Sequence, residues 1–157
     1  MKDKAFTLIE LMVVLSVLSI LTLLIIPQFD ALMNKVALKQ VAYQMAADFN
    51  YVKQKSINNS GTGLPKVLIV SSANSYYIYA KPLTIERQVN LSEIYNNRVR
   101  ILSYNGTQSE LSFNYLGTPI KCGTVTLKNS DGDFMYVIVS AVIGRIRVDD
   151  VPPASWE

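Results

Sequence analysis

The sequence predicts an α+β protein: one long N-terminal α-helix, first membrane-spanning and then amphipathic, packed on an antiparallel β-sheet head. Three observations carry this expectation. Residues 6–26 (FTLIELMVVLSVLSILTLLII) are almost all apolar, residues 28–57 keep a helical period, and from Leu64 onward the period changes to two.

As a helix, residues 6–26 would span roughly 31 Å, about the thickness of one hydrocarbon core. A secretory signal peptide has a shorter apolar core, of about 7–15 residues, and an A-x-A-like cleavage site. Here the run is followed by PQFDALMNK, which offers no such site. A plain membrane anchor fits the length but leaves Glu10 unexplained. A carboxylate near the bilayer centre costs about 2.5–3.5 kcal/mol on insertion scales, so an intramembrane charge implies a function and a partner.

Beyond Pro27, Leu38, Val41, Met45, Phe49 and Val52 recur at spacings of three and four and mark one helix face. Phe29, Leu32, Met33 and Val36 fall on nearly the opposite face. One helix that changes duty along its length explains both stripes, the first turned away from a globular head and the second facing it. The pattern alone also allows two separate helices. NNSGTGLPK, at 58–66, ends the helical stretch with a turn-rich cluster.

The head follows as short runs rich in β-branched and aromatic residues: VLIV (67–70), YYIYA (76–80), RVRIL (98–102), ELSFNY (110–115), GTVTL (123–127), FMYVIVS (134–140) and IGRIRV (143–148). Asp131-Gly132 between two of them reads as a hairpin turn. Residues 151–157 (VPPASWE) read as a loose tail.

Composition argues against catalysis. There is no histidine, hence neither the usual proton shuttle nor the commonest metal ligand, and no catalytic residue, cofactor or metal site is expected. The single cysteine, Cys122, excludes an intramolecular disulfide, and the net charge of +3 is too small to imply nucleic acid by itself. NSDGDF, at 129–134, has the alternating aspartates of a calcium loop but lacks the downstream bidentate glutamate, which favours a solvated hairpin. Tyr76, Tyr77 and Tyr79 are better read as strand packing than as a base-stacking platform.

The N-terminus, MKDKA followed by FTLIEL, resembles a type IV prepilin signal. The resemblance implies a leader at 1–5, a transmembrane and filament-core helix at 6–27, an amphipathic helix at 28–57 continuing into the head, and a β head at 58–150. It further implies cleavage between Ala5 and Phe6 by a prepilin peptidase and methylation of the new amine of Phe6. Glu10 would then neutralise that amine in a neighbouring subunit during filament assembly, since opposite charges in a dry bundle are tolerable only together. Ala5 departs from the family's usual glycine. Pro27 resembles the position where pilin helices kink, as proline removes a helical hydrogen bond.

SFNYLGTPIKCGTVTL and FMYVIVSAVIGRIRVD are similar to the end of the GspH/FimT class of minor pilins, and most like ComGD-type competence pseudopilins. This implies a subunit that sits in the cell membrane with its head outside, then joins other pilins in a surface filament for DNA uptake in natural transformation. The alternative is a minor pseudopilin of a type II secretion system that exports folded proteins. Arg145 and Arg147, two apart in a strand and so on one face, are candidate contacts to the backbone of double-stranded DNA without sequence preference. Lys121 and Lys128 are candidate neighbours of that pair, and Asp149 and Asp150 would oppose it.

Overall fold

The computed structural model describes residues 7–58 and 63–153, and within those ranges the side chains of all but 23–27 and 107. Helix α1 runs from Leu8 to Ile57 and continues through Pro27. By contact density the chain divides into two compact units, Met1–Met33 and Asn34–Glu157.

In the first unit, Thr7 opens the helix. Its hydroxyl accepts the backbone N–H of Glu10 at 3.3 Å, the arrangement expected of a threonine N-cap with glutamate three residues on. Farther along, Ser16 donates to the Val13 carbonyl at 2.7 Å, Ser19 to Leu15 at 2.8 Å and Thr22 to Leu18 at 2.9 Å. These hydroxyls are satisfied within the helix, so the surface they leave to an apolar environment carries no unpaired donor. Among the described residues no helix is long and apolar enough to cross a membrane. The side chains described in the apolar run are those of 7–22, about 24 Å of helix, against a hydrocarbon core of about 30 Å.

The second unit is the head. Its strands are β1 (Lys66–Val70), β2 (Ser75–Lys81), β3 (Thr84–Asn90), β4 (Val99–Gly106), β5 (Glu110–Phe113), β6 (Pro119–Lys121), β7 (Gly123–Asn129), β8 (Phe134–Val139) and β9 (Ile146–Asp149), with a short helix, α2 (Leu91–Ile94), between β3 and β4. They form two sheets, ordered β3-β2-β1-β5-β6 and β4-β7-β8-β9, and every pairing is antiparallel. The antiparallel β head expected from the sequence is built of two sheets.

One apolar cluster joins both sheets to the helix. Leu38, Val41, Met45, Phe49 and Val52 are all buried, against Val67, Ile69, Ile78, Leu111 and Phe113 of the first sheet and Val99, Ile101, Val125, Leu127 and Val137 of the second. Every buried apolar residue among the described ones lies between 37 and 139, so the head carries its own core. Phe29, Leu32, Met33 and Val36 are exposed, as the opposite stripe predicts.

Two strands have no counterpart in the sequence expectation. β3 (TIERQVN) buries only Val89, so it lacks the alternation that marks a half-buried strand. It is an edge strand, and its Glu86 and Arg87 suit an edge that must resist further pairing. β6 begins on Pro119, which sequence rules confine to an edge, and an edge is where it lies.

The β7–β8 hairpin turns at Gly132, whose φ is 98°. Asn129 closes it: its backbone N–H donates to the Asp133 carbonyl at 3.0 Å, its Oδ1 accepts the Asp133 N–H at 2.8 Å, and its amide donates to the Asp133 carboxylate at 3.0 Å. Both aspartates of NSDGDF have internal partners, Asp131 accepting from the Asn34 amide at 3.1 Å.

Candidate assembly surface

Glu10 lies in the first turn of α1 and is exposed, with Leu8, Ile9, Leu11, Met12 and Leu15 exposed around it. Its carboxylate sits where the helix presents its positive dipole end, a favourable position for a negative charge. A threonine three residues ahead of a glutamate is the sequence signal for this cap, and it adds a second reason for an acid at this position. The cleavage positions Ala5 and Phe6 lie outside the described residues. Pro27 lies within the helical backbone, and its side chain falls outside the description.

Among the described residues, the large apolar side chains of 8–21 are exposed. Leu8, for example, is 78% exposed. At roughly 25 cal/mol per Å² of apolar area removed from water, a surface of this kind is stable only against lipid or other helices.

In the head, the cations suspected from the sequence fall into three separate places. Arg145 and Arg147 line one hollow of about 150 Å³ with Ile138, Ser140 and Ile143. Arg145 precedes β9 instead of lying in it, and its carbonyl accepts the Ser140 N–H at 2.9 Å. Arg147 is the register partner of Ile138. The glycine ahead of them, Gly144, has φ 61°, and a Cβ there would stand 2.6 Å from the Gly117 carbonyl oxygen. The close approach that this glycine permits is therefore to the chain's own β5–β6 loop. Lys53 of α1 fastens the same point, donating to the Gly144 carbonyl at 2.9 Å.

Lys121 is engaged elsewhere. It donates to Glu110 at 2.6 Å and to Gln108 at 2.5 Å, while Lys66 reaches the other Glu110 oxygen at 2.6 Å. Hydrogen bonds from Lys121 and then Lys66 hold the Glu110 carboxyl below its ordinary pKa. One carboxylate thus bridges two ammonium groups.

Lys128 occupies the third place. Its Nζ stands 5.2 Å from the centroid of the Phe134 ring, and it lines a hollow of about 310 Å³ with Asn97, Arg98, Arg100, Asn129 and Ser130. Arg98 and Arg100 were not anticipated as site residues. The signal was present: R-V-R at 98–100 repeats the i, i+2 spacing of R-I-R at 145–147.

The tyrosines serve packing. Tyr76 is buried and donates to Asp48 at 2.6 Å, Tyr77 accepts from Gln88 at 3.3 Å, and Lys66 lies 5.5 Å from the Tyr79 ring centroid. Burial and then the bond to Asp48 push the Tyr76 hydroxyl well above its ordinary pKa. Cys122 is a free thiol, half-buried against the core.

An N-terminal helix with an uncovered apolar surface, continuing into a helix packed on antiparallel sheets, defines an α+β fold of type IV pilin-like form. Residues 1–26 match the family model of the prokaryotic N-terminal methylation motif, a type IV pilin-like prepilin signal. No curated protein and no solved structure matches the chain. The motif supports a type IV pilin- or pseudopilin-like structural protein, processed by prepilin peptidase and assembled with other pilins.

Proposed function

We propose that this chain is a minor subunit of a type IV pilus-like filament that serves DNA uptake in natural transformation. The observation that carries the reading is a methylation motif at 1–26 leading into a helix whose apolar residues are exposed in the single chain. Before assembly that surface is held by the membrane, with the head on the extracytoplasmic side. After cleavage between Ala5 and Phe6 and methylation of Phe6, Glu10 pairs with the Phe6 amine of a neighbouring subunit, and the helix moves from lipid into a bundle of its own kind. Pro27 lets the helix bend between the bundle and the head. The competence assignment, and within it the GspH/FimT class and ComGD type, is supported by the C-terminal sequence pattern from Ser112 to Asp149.

A strain lacking the chain tests the reading. Transformation by added DNA should fall sharply, sheared surface fractions should lose or shorten their filaments, and export of folded proteins should stay normal. Unchanged transformation with failed export would assign the chain to a type II secretion system instead.

A further inference from the structure

Arg100 on β4 and Lys128 on β7 are direct register partners. Like charges placed directly opposite across two strands repel, and the arrangement lowers stability. Among the described residues neither forms an ion pair, and no carboxylate lines the hollow they share with Arg98. Arg98 is held at the rim by Asn34, whose Oδ1 accepts its Nη1 at 2.7 Å. Asp131 and Asp133, in the β7–β8 turn, accept from the Asn34 and Asn129 amides and keep their charge, but neither pairs with Arg100 or Lys128. A fold that keeps two uncompensated cations face to face has a use for an anion there, because such violations of local stability rules concentrate at functional sites.

The same sheet face continues the pattern. Lys128 and Thr124 alternate with Val125 and Leu127 and so share the other side of β7, where Lys128 is half-buried and Thr124 is buried. Thr124 pairs with Ile138 and Ile138 with Arg147, so Arg147 shares that face. Four residues along β7 separate the two rows, about 13 Å. A small anion meets only one row. A nucleic-acid strand, whose charges recur every ~3.4 Å along its axis, meets both. We propose that the outer face of the four-stranded sheet binds the phosphodiester backbone of duplex DNA, gripped chiefly by Arg98, Arg100 and Lys128 and secondarily by Arg147. This rests on the DNA-uptake reading and names where contact is made. Asp149 pairs with Tyr136 and lies on the same face between the two rows, where it weakens the contact.

The head, residues 34–157, contains the whole core and can be tested alone. Anisotropy titration with labelled short duplex DNA at low salt should show binding indifferent to sequence. R100Q/K128Q should bind about tenfold more weakly, with a salt slope smaller by about 2. R145Q/R147Q should lose less, and Asp149→Asn should bind several-fold more tightly. Because Arg100→Gln also removes a like-charge contact, it should raise the melting temperature of the head at low salt, which separates lost binding from lost folding. Wild-type affinity in R100Q/K128Q overturns the proposal, as does a head that ignores DNA and binds phosphatidylglycerol vesicles. Binding weakened to the expected extent in R100Q/K128Q upholds the site even if a deletion strain transforms normally, in which case the uptake reading alone falls. Loss confined to R145Q/R147Q removes this site and leaves that reading standing.

Discussion

The Tyr76 hydroxyl donates to the Asp48 carboxylate at 2.6 Å inside the head, tying β2 to α1. Arg87 of β3 reaches the other Asp48 oxygen, so one buried acid joins the helix to two strands. Tyr76→Phe should lower head stability by about 1.5–3 kcal/mol, the range for a hydrogen bond to a charged group. Asp48→Ala should lower it further, because it removes the acceptor of both bonds and leaves the buried Tyr76 hydroxyl without a partner, while the half-exposed Arg87 is solvated. Urea denaturation of the head measures both, and equal small losses would show that the acid is not a hub.

Asn74 covers an open strand edge. Its amide donates to the Val99 carbonyl at 3.0 Å and accepts the Ile101 N–H at 2.8 Å, taking the place of a further strand beside β4. Its backbone is left-handed, with φ 47°, a conformation asparagine and glycine tolerate. Asn74→Gly keeps that backbone and removes only the amide. It should cost about 1–3 kcal/mol and increase edge-to-edge association, measured by thermal melts and light scattering.

Glu110 gives the head a pH-dependent element. Its folded pKa is depressed by Lys121 and Lys66, so its contribution is present above the ordinary value of 4.5 and is lost as pH falls through the folded value. Glu110→Gln should therefore be less stable than wild type at neutral pH, by about 1 kcal/mol or less for such half-exposed pairs. The two should converge in acid. A gap that persists to low pH would mean the loss is one of shape, not charge.

Glu10→Val should leave the single chain in the membrane and block its entry into filaments. The motive is that an unpaired carboxylate in an apolar run is costly. Cell fractionation and sheared-filament yield measure the two effects separately. Wild-type filament yield from the valine variant would remove the pairing role and leave Glu10 as part of the helix cap.

Cleavage between Ala5 and Phe6 should shorten the chain by residues 1–5 and add a methyl group to Phe6. Intact-mass measurement in cells with and without prepilin peptidase checks this directly, and equal masses would contradict it. Ala5→Gly, which restores the residue usual before the cut, should speed processing.

While the continuity of the helix through Pro27 came from the structure, the sequence by itself determined that the N-terminal third is helical, its two apolar stripes, the N-terminal signal and most of the strands. These are legible because periodicity and local motifs are properties of neighbouring residues: Leu38, Val41, Met45, Phe49 and Val52 mark a buried face whatever they are buried against. The tertiary structure decided what depends on residues far apart in the chain. It divided the strands between two sheets and supplied β3 and β6, whose edge positions relieve them of the alternation that betrays a strand. It also sorted the cations. Lys121 went to Glu110, Gly144 spent its small size on Gly117, and Lys128 found Arg100, because strand register and not sequence distance sets which charges meet. A pair such as Arg100 and Lys128 is 28 positions apart in the chain and face to face across the sheet, and no local pattern carries that relationship.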